Sequence, residues 1–322
     1  ADGVLDALAL PEEFGLIKSL LQAPDTIRDL RDDDLDHLDF ATNLRDQPAT
    51  RLKHPDWQSV SAARRDLERI RDARHGVLVV AESDGQVTGL AGCEGAPQYR
   101  THLNLYGPVA DCPETCGDLL AAVLERAGSY FPADQTVNCM TDGENKTQRS
   151  LMQRFDFRLV GVESFMRHDE KLADLPPLPN GLEVAVSHDP VDVERIYDIY
   201  LSVWSGLKSV ESLQEDVAQP PNGLYLLRRG GECIAFFTLM VRANGKADFE
   251  YVAVRRDCRG QGLGRQFMQH AVAMIDRTIA PPSINLTVHT DNVPAIRMYE
   301  RAGFRKMYAM DVYQLRLSDR VC

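Results

Sequence analysis

Asp248-Phe249-Glu250-Tyr251-Val252-Ala253-Val254-Arg255-Arg256-Asp257-Cys258-Arg259-Gly260-Gln261-Gly262-Leu263-Gly264 runs directly into Arg265-Gln266-Phe267-Met268. The alternation of Phe249 to Val254, in β-branched and aromatic residues, predicts a strand, and Phe267, Met268, Ala271, Met274 and Ile275 recur at helical spacing. A strand therefore feeds a glycine-rich turn and then a helix. Gly260, Gly262 and Gly264 remove side chains where the N–H groups of a helix N-terminus approach another group, and those unpaired donors attract anions. A phosphate is the natural guest. Two nucleotide motifs fit poorly. A P-loop needs Lys and then Ser or Thr after its last glycine, where Arg265 and Gln266 stand, and the dinucleotide fingerprint G-x-G-x-x-G with its later acidic residue is not met either.

Further along, Ile284-Asn285-Leu286-Thr287-Val288 reads as a second strand, leading into Asn292-Val293-Pro294-Ala295-Ile296-Arg297-Met298-Tyr299-Glu300-Arg301-Ala302-Gly303-Phe304. Together these stretches resemble the GNAT superfamily of acetyl-CoA-dependent N-acetyltransferases. The superfamily's pyrophosphate turn has the pattern Gln or Arg, x, x, Gly, x, Gly or Ala, which Arg259, Gly262 and Gly264 match. Its second signature, Asn, Ala three on, Tyr four further, then Gly-Phe, is met by Asn292, Ala295, Tyr299, Gly303 and Phe304.

The whole chain has 322 residues, 44% hydrophobic and 26% charged, enough for two domains. No apolar run approaches the ~20 residues of a membrane span, and the N-terminus, with Asp2 and Asp6, lacks the basic start of a secretory signal. A net charge of −12 argues against a nucleic-acid partner and suits either a cationic substrate or simple solubility. Seven dispersed cysteines suggest reduced thiols in a cytoplasmic protein, and Cys112 and Cys116 without a matching pair make no metal site.

The order of elements repeats. Phe157 stands to Phe304 as Asn145 to Asn292 and Val137 to Ile284, each 147 residues apart, and the same shift sets Leu78 on Tyr225 and Val87 on Ile234. A duplication at domain scale follows. Residues 1–24 read as a broken helical extension, 25–172 and 182–322 as the two copies, and 173–181, with Pro176, Pro177, Pro179 and Gly181, as the linker. Leu38, Phe40 and Ser61 fall in helical stretches of the first copy. The 147 shift sets Arg259 on Cys112, Gly262 on Thr115, Gly264 on Gly117 and Tyr299 on Met152, so the first copy reads as a degenerate, non-catalytic lobe, with weak cofactor binding still open.

The resemblance implies an α/β (α+β) protein of two tandem GNAT folds, each a mixed, mostly antiparallel sheet flanked by helices with a splayed pair of parallel strands. It implies acetyl-CoA as co-substrate, no metal, and a small-molecule primary amine as acceptor, with direct transfer in a ternary complex by the C-terminal copy. A peptide or protein acceptor, or an acetyl-CoA sensor without turnover, are the rival readings. Carried over to this chain, Glu250 accepts the amine's proton, with Asp248 as substitute, and Tyr299 protonates the leaving thiolate. Val252, Ala253 and Val254 hold the pantetheine arm and the thioester oxygen through their backbone. Arg259, Gly260, Gln261, Gly262, Leu263, Gly264 and Arg265 hold the phosphates, and Asn292 the CoA arm. Each has a plainer rival: an ion pair for Glu250, packing for Tyr299, helix capping for Asn292. His289 reads as a surface histidine, and Tyr197, Tyr200 and Trp204 as core that can line an acceptor pocket.

Overall fold

A computed structural model describes residues 26–31, 34–35, 64, 67–68, 70–71, 76–95, 102–110, 113–171, 174–204, 208–242 and 245–319. The expected N-terminal extension, Leu38, Phe40, Ser61 and Cys112 lie outside the described residues. The chain divides into two compact units, residues 1–159 with 313–322, and residues 160–312.

In the first unit, β1 (Thr26–Asp29), β2 (Gly76–Ser83), β3 (Gln86–Glu94) and β4 (His102–Ala110) run antiparallel in that order, and β5 (Thr136–Asp142) pairs parallel with β4. Between them α1 (Pro113–Tyr130) crosses over, and α2 (Lys146–Arg154) follows β5. Leu119, Leu120, Val123, Leu124 and Ala127 repeat every three or four residues, so α1 lays one stripe on Val79, Ala91, Leu103 and Val137. The end of the chain completes this core. Tyr313, Leu315 and Leu317 pack into it, and the N–H groups of Leu317 and Ser318 donate to the carbonyls of Gln135 (2.9 Å) and Ala133 (2.8 Å).

The second unit holds most of β6 (Arg158–His168), then β7 (Leu182–Ser187), β8 (Gly223–Arg229), β9 (Glu232–Val241), β10 (Ala247–Phe249), β11 (Ala253–Val254), β12 (Ile284–His289) and the start of β13 (Arg305–Arg316). Its strands lie in the order β7-β8-β9-β10-β12-β6, antiparallel except for β10 beside β12. Helices α3 (Pro190–Leu201) and α4 (Val210–Val217) cover Leu224, Leu226 and Phe236 on one face. On the other, α5 (Leu263–Thr278) and α6 (Val293–Arg301) bury Phe267, Met268, Ala271 and Ile275 against Phe237, Leu239, Phe249 and Leu286. Each such side chain contributes roughly 1.5–3 kcal/mol by leaving water.

Repeats and compact units divide the chain differently, because strands at the ends of the repeats cross the division. Most of β6 counts with the second unit, and the end of β13 with the first.

Strand pairing also corrects the uniform shift of 147. Leu103 pairs with Val137 as Ala247 pairs with Ile284, so β5 is offset by 147 but β4 by 144 (247 − 103). The β2–β3 hairpin closes at Ser83–Gln86 and the β8–β9 hairpin at Arg229–Glu232, an offset of 146. The first copy is therefore three residues shorter between its splayed strands. Only two residues separate β4 from α1, where eight separate β11 from α5. Thr115 and Gly117, set on Gly262 and Gly264 by the uniform shift, lie inside α1, and nothing among the described residues of the first copy matches the turn.

Candidate active site

The parallel pairing of β10 and β12 stops after three positions, Ala247–Ile284, Asp248–Asn285 and Phe249–Leu286. Beyond it β12 continues to His289 against β6, while the other strand turns away as β11 and pairs with β9 alone. A bulge causes the divergence. Phe249 faces Leu239 and Ala253 faces Phe236, four steps on one strand against three on the other. Thr238 absorbs the extra residue: its carbonyl accepts from the N–H of Glu250 (2.9 Å) and its hydroxyl oxygen from that of Tyr251 (3.3 Å). The edge formed by Val252, Ala253 and Val254 thus faces a gap rather than a strand. The expected splay from Phe249 to Val254 is present, and it begins at Glu250.

After Val254 the chain makes a 3-10 turn at Arg256–Cys258 and enters α5 through Gly262. Gly260 (φ +76°) and Gly262 (φ +77°) are left-handed, and a Cβ at either would meet nothing within 4 Å. Their glycines answer to backbone conformation rather than crowding. Gly264 differs: a Cβ there would lie 2.6 Å from Met298 Sδ, a contact with the flexible side chain of a residue on α6. The N-cap of α5 supplies no side-chain hydrogen bond, and its first turn holds no acidic residue. Leu263, Gly264 and Arg265 therefore present N–H groups at the positive end of a 16-residue helix dipole. Arg259 ties the turn to the strand, Nε donating to the Val254 carbonyl at 2.8 Å, and Gln261 Nε2 donates to the Asp257 carbonyl at 3.0 Å. Arg265 is exposed beside the turn. Arg255 is engaged by Asp257 and Glu232, at 2.8 and 3.2 Å.

Asp248 and Glu250 share one guanidinium. Arg242 Nε donates to Asp248 Oδ2 at 2.5 Å and Nη2 to Glu250 Oε1 at 2.7 Å. Asp248 Oδ1 also accepts from Asn285 Nδ2 at 3.0 Å, so both its oxygens are engaged in the sheet. Glu250 is 31% exposed, within reach of solvent. Burial pushes its carboxyl above the usual range; Arg242 opposes that shift, Asp248 adds to it, and Lys208 and Asp216 oppose and reinforce it more weakly. Lys208 is itself buried, paired with Asp216, and sits 5.6 Å from the Tyr251 ring centroid. Tyr251, Tyr200 and Trp204 form a cluster with centroids 5.2–5.3 Å apart, and Trp204 keeps a partly exposed edge.

The second signature folds into a defined helix stop. The N–H of Phe304 donates to the Tyr299 carbonyl and that of Gly303 to Glu300, both at 3.0 Å, with Gly303 at φ +96°. This is a Schellman motif, and its accompanying apolar contact is Tyr299 against Phe304, centroids 5.9 Å apart. Tyr299 is buried, and burial raises its phenol well above the ordinary value, so it stays protonated. Asn292 caps α6 by accepting from the Ala295 N–H at 3.3 Å. The first copy repeats the stop with Asp156 at φ +58° and Met152 in the tyrosine's place, and repeats the cap with Asn145. By strand register its counterpart of Glu250 is Tyr106, whose hydroxyl donates to Glu94 at 2.8 Å.

Arg242, Thr238, Asn285 and Lys208 escaped the sequence reading, because each reaches the site from a neighbouring strand or loop and no local pattern marks it. His289 borders the gap on β12. Its Nδ1 accepts from the Asp291 N–H at 3.3 Å.

Fold and site together have the layout of an acyltransferase, and residues 193–304 match the acetyltransferase (GNAT) family. The matched residues lie in the second unit, which is thus a domain of the GNAT acetyltransferase family and carries its motifs. It is 28% identical over 162 residues to a mycothiol acetyltransferase of Catenulispora acidiphila, a match to 45% of this chain and only about half (51%) of that protein. A mycothiol acetyltransferase of Streptomyces coelicolor is 25% identical over 269 residues, 79% of this chain and 85% of its own. Among solved structures, a GCN5-related N-acetyltransferase from Sphaerobacter thermophilus shares the fold at a TM-score of 0.71 and 20% identity, over 93% of this chain and 98% of that one.

Proposed function

We propose that the second unit transfers an acetyl group from acetyl-CoA to a primary amine of a small molecule, both substrates being bound together. The observation that carries this reading is the parting of β10 and β12 directly before an uncapped glycine turn. The residues fit the co-substrate. Backbone N–H groups from Arg259 to Gly264, with Arg265 beside them, would hold its phosphates, and the Val252–Val254 edge its pantetheine arm. Acetyl-CoA supplies an activated acyl group; an N–H of that edge would stabilise charge developing on the acyl oxygen. Glu250, held up in pKa yet ionisable, accepts a proton from the amine, directly or through water. Tyr299 holds a donatable proton at its hydroxyl. Asp248, locked by Arg242 and Asn285, positions Arg242 and is no substitute base in this reading. Buried cysteines outside any disulfide, Cys93, Cys116, Cys139 and Cys258, agree with a cytoplasmic setting.

Thiol release from acetyl-CoA, followed with an amine library, tests the reading. Wild type turns over; Glu250→Gln falls by roughly 10²–10⁴-fold, and Tyr299→Phe falls markedly, while both bind acetyl-CoA. Binding without turnover by the wild type supports a sensor instead.

A further inference from the structure

We propose that the sheet face of the second unit opposite α5 and α6, where Thr287 and His289 are exposed, carries a second acceptor subsite, built from Glu163, Thr287 and His289, that takes a cationic group on the amine substrate. This rests on the acetyltransferase reading above.

β6 and β12 pair so that Glu163 lies across from His289 and Phe165 across from Thr287. Alternation along β12 sends Leu286 and Val288 into the core, and Asn285, Thr287 and His289 to the opposite face. Asp248 pairs with Asn285, and Arg242 reaches Asp248 and Glu250 together, so both carboxylates lie on that same face. Glu163 and Glu250 therefore flank β12 from its two sides. Two strand spacings and a two-residue stagger separate them, roughly 10–12 Å.

The two carboxylates differ in their partners. Glu250 has Arg242, whereas Glu163, half-buried, has a hydrogen bond from Thr287 and the imidazole of His289, with no Arg or Lys paired to it among the described residues. Burial holds its carboxyl above the usual range. A half-buried carboxylate whose one charge partner is an imidazole rather than a permanent cation is incompletely compensated, so the site favours a ligand that brings a cation. The imidazole's place is set by the backbone: a Cβ at Gly161, two residues away on the same face, would lie 2.5 Å from His289 Nε2, so glycine lets the ring settle beside Glu163. A net charge of −12 favours approach of the same ligand class. The substrate class that fits is an amine bearing a second ammonium group roughly 10 Å from the reacting nitrogen.

The test uses the full chain, acetyl-CoA, and two series of acceptors: straight-chain monoamines and α,ω-diamines of increasing length. The readout is the ratio of kcat/KM for a diamine to that for the monoamine of equal length, which cancels any general loss of activity. The ratio is expected to peak at spans near the carboxylate separation at about tenfold or more, to fall toward one in Glu163→Gln, and to recover partly in Glu163→Asp. A ratio near one at every length, or a ratio unchanged in Glu163→Gln, overturns the subsite while leaving the acetyltransferase reading intact. If no amine of either series is acetylated although acetyl-CoA binds, both readings fall.

Discussion

Replacing Arg242 by Gln tests how the candidate base is tuned. Its guanidinium lies 2.7 Å from Glu250 and 2.5 Å from Asp248. Unit charges about 4 Å apart interact by about 4 kcal/mol at an effective dielectric of 20. The Arg242 and Glu250 side chains are 35% and 31% exposed, so solvent screens the pair to about 1 kcal/mol. Since one pH unit is about 1.4 kcal/mol, the removed cation is worth roughly one pH unit. The sign is fixed. Arg242 favours the ionised Glu250, and without it the carboxyl holds its proton to higher pH. Asp248, no longer neutralised, pushes the same way, and Lys208 with Asp216 remains in both proteins. The base works only when ionised, so the acid limb of kcat/KM, already above the ordinary carboxylate range through burial, moves up by about one further unit in Arg242→Gln. Arg242→Lys moves it less. A pH profile at saturating acetyl-CoA reads the limb directly, with melting temperature checking the fold. A limb that stays in place or moves down refutes the assignment of Glu250 as the titrating base.

Three further outcomes are expected. Gly262→Ala forces a side chain into φ +77° and costs about 1–2 kcal/mol, weakening acetyl-CoA binding in calorimetry more than Gly264→Ala, whose Cβ meets only the flexible end of Met298; the reverse order contradicts the conformational account. Asn292→Ala and Asn145→Ala each lose a cap worth about 1 kcal/mol and lower melting by similar amounts, but only Asn292→Ala raises KM for acetyl-CoA. Equal effects on KM reduce Asn292 to a cap. Titration calorimetry should find one acetyl-CoA per chain, since the first copy has two residues where the second has an eight-residue turn; two sites exclude that account.

What the sequence discloses and what it withholds separate along one line. The strand, turn and helix from Asp248 to Met268 are legible because glycines at left-handed φ and helical spacing are local properties. The signature ending at Gly303-Phe304 is legible for the same reason, being a Schellman stop. Arg242 over Glu250, Asn285 on Asp248, and Glu163 beside His289 depend on strand register, which no local window contains. The uniform shift of 147 fails likewise. Two length changes of opposite sign, two residues more before β4 and three fewer between β4 and β5, leave a difference of one residue end to end and surface in the strand pairing.

The first copy shows which features the chemistry needs. It keeps the bulge, at Leu90–Gly92 opposite Val109 and Tyr106, and it keeps the parallel pair that stops early, the asparagine cap and the helix stop. In place of the proposed base it has Tyr106 bonded to Glu94, and across its parted strands the Gln148 amide reaches from α2 to the Gly107 carbonyl at 3.4 Å. Side chains alone therefore should not restore a site. In a Glu250→Gln background, Tyr106→Glu with Met152→Tyr and Gln148→Ala is expected to gain neither acetyl-CoA binding nor thiol release, because the missing turn amides are set by chain length. Lengthening the turn by three residues, with glycines at the two left-handed positions, is the change expected to bring back binding. Acetyl-CoA bound by the side-chain variant at the original turn length would show that the phosphate cradle is not what anchors the co-substrate.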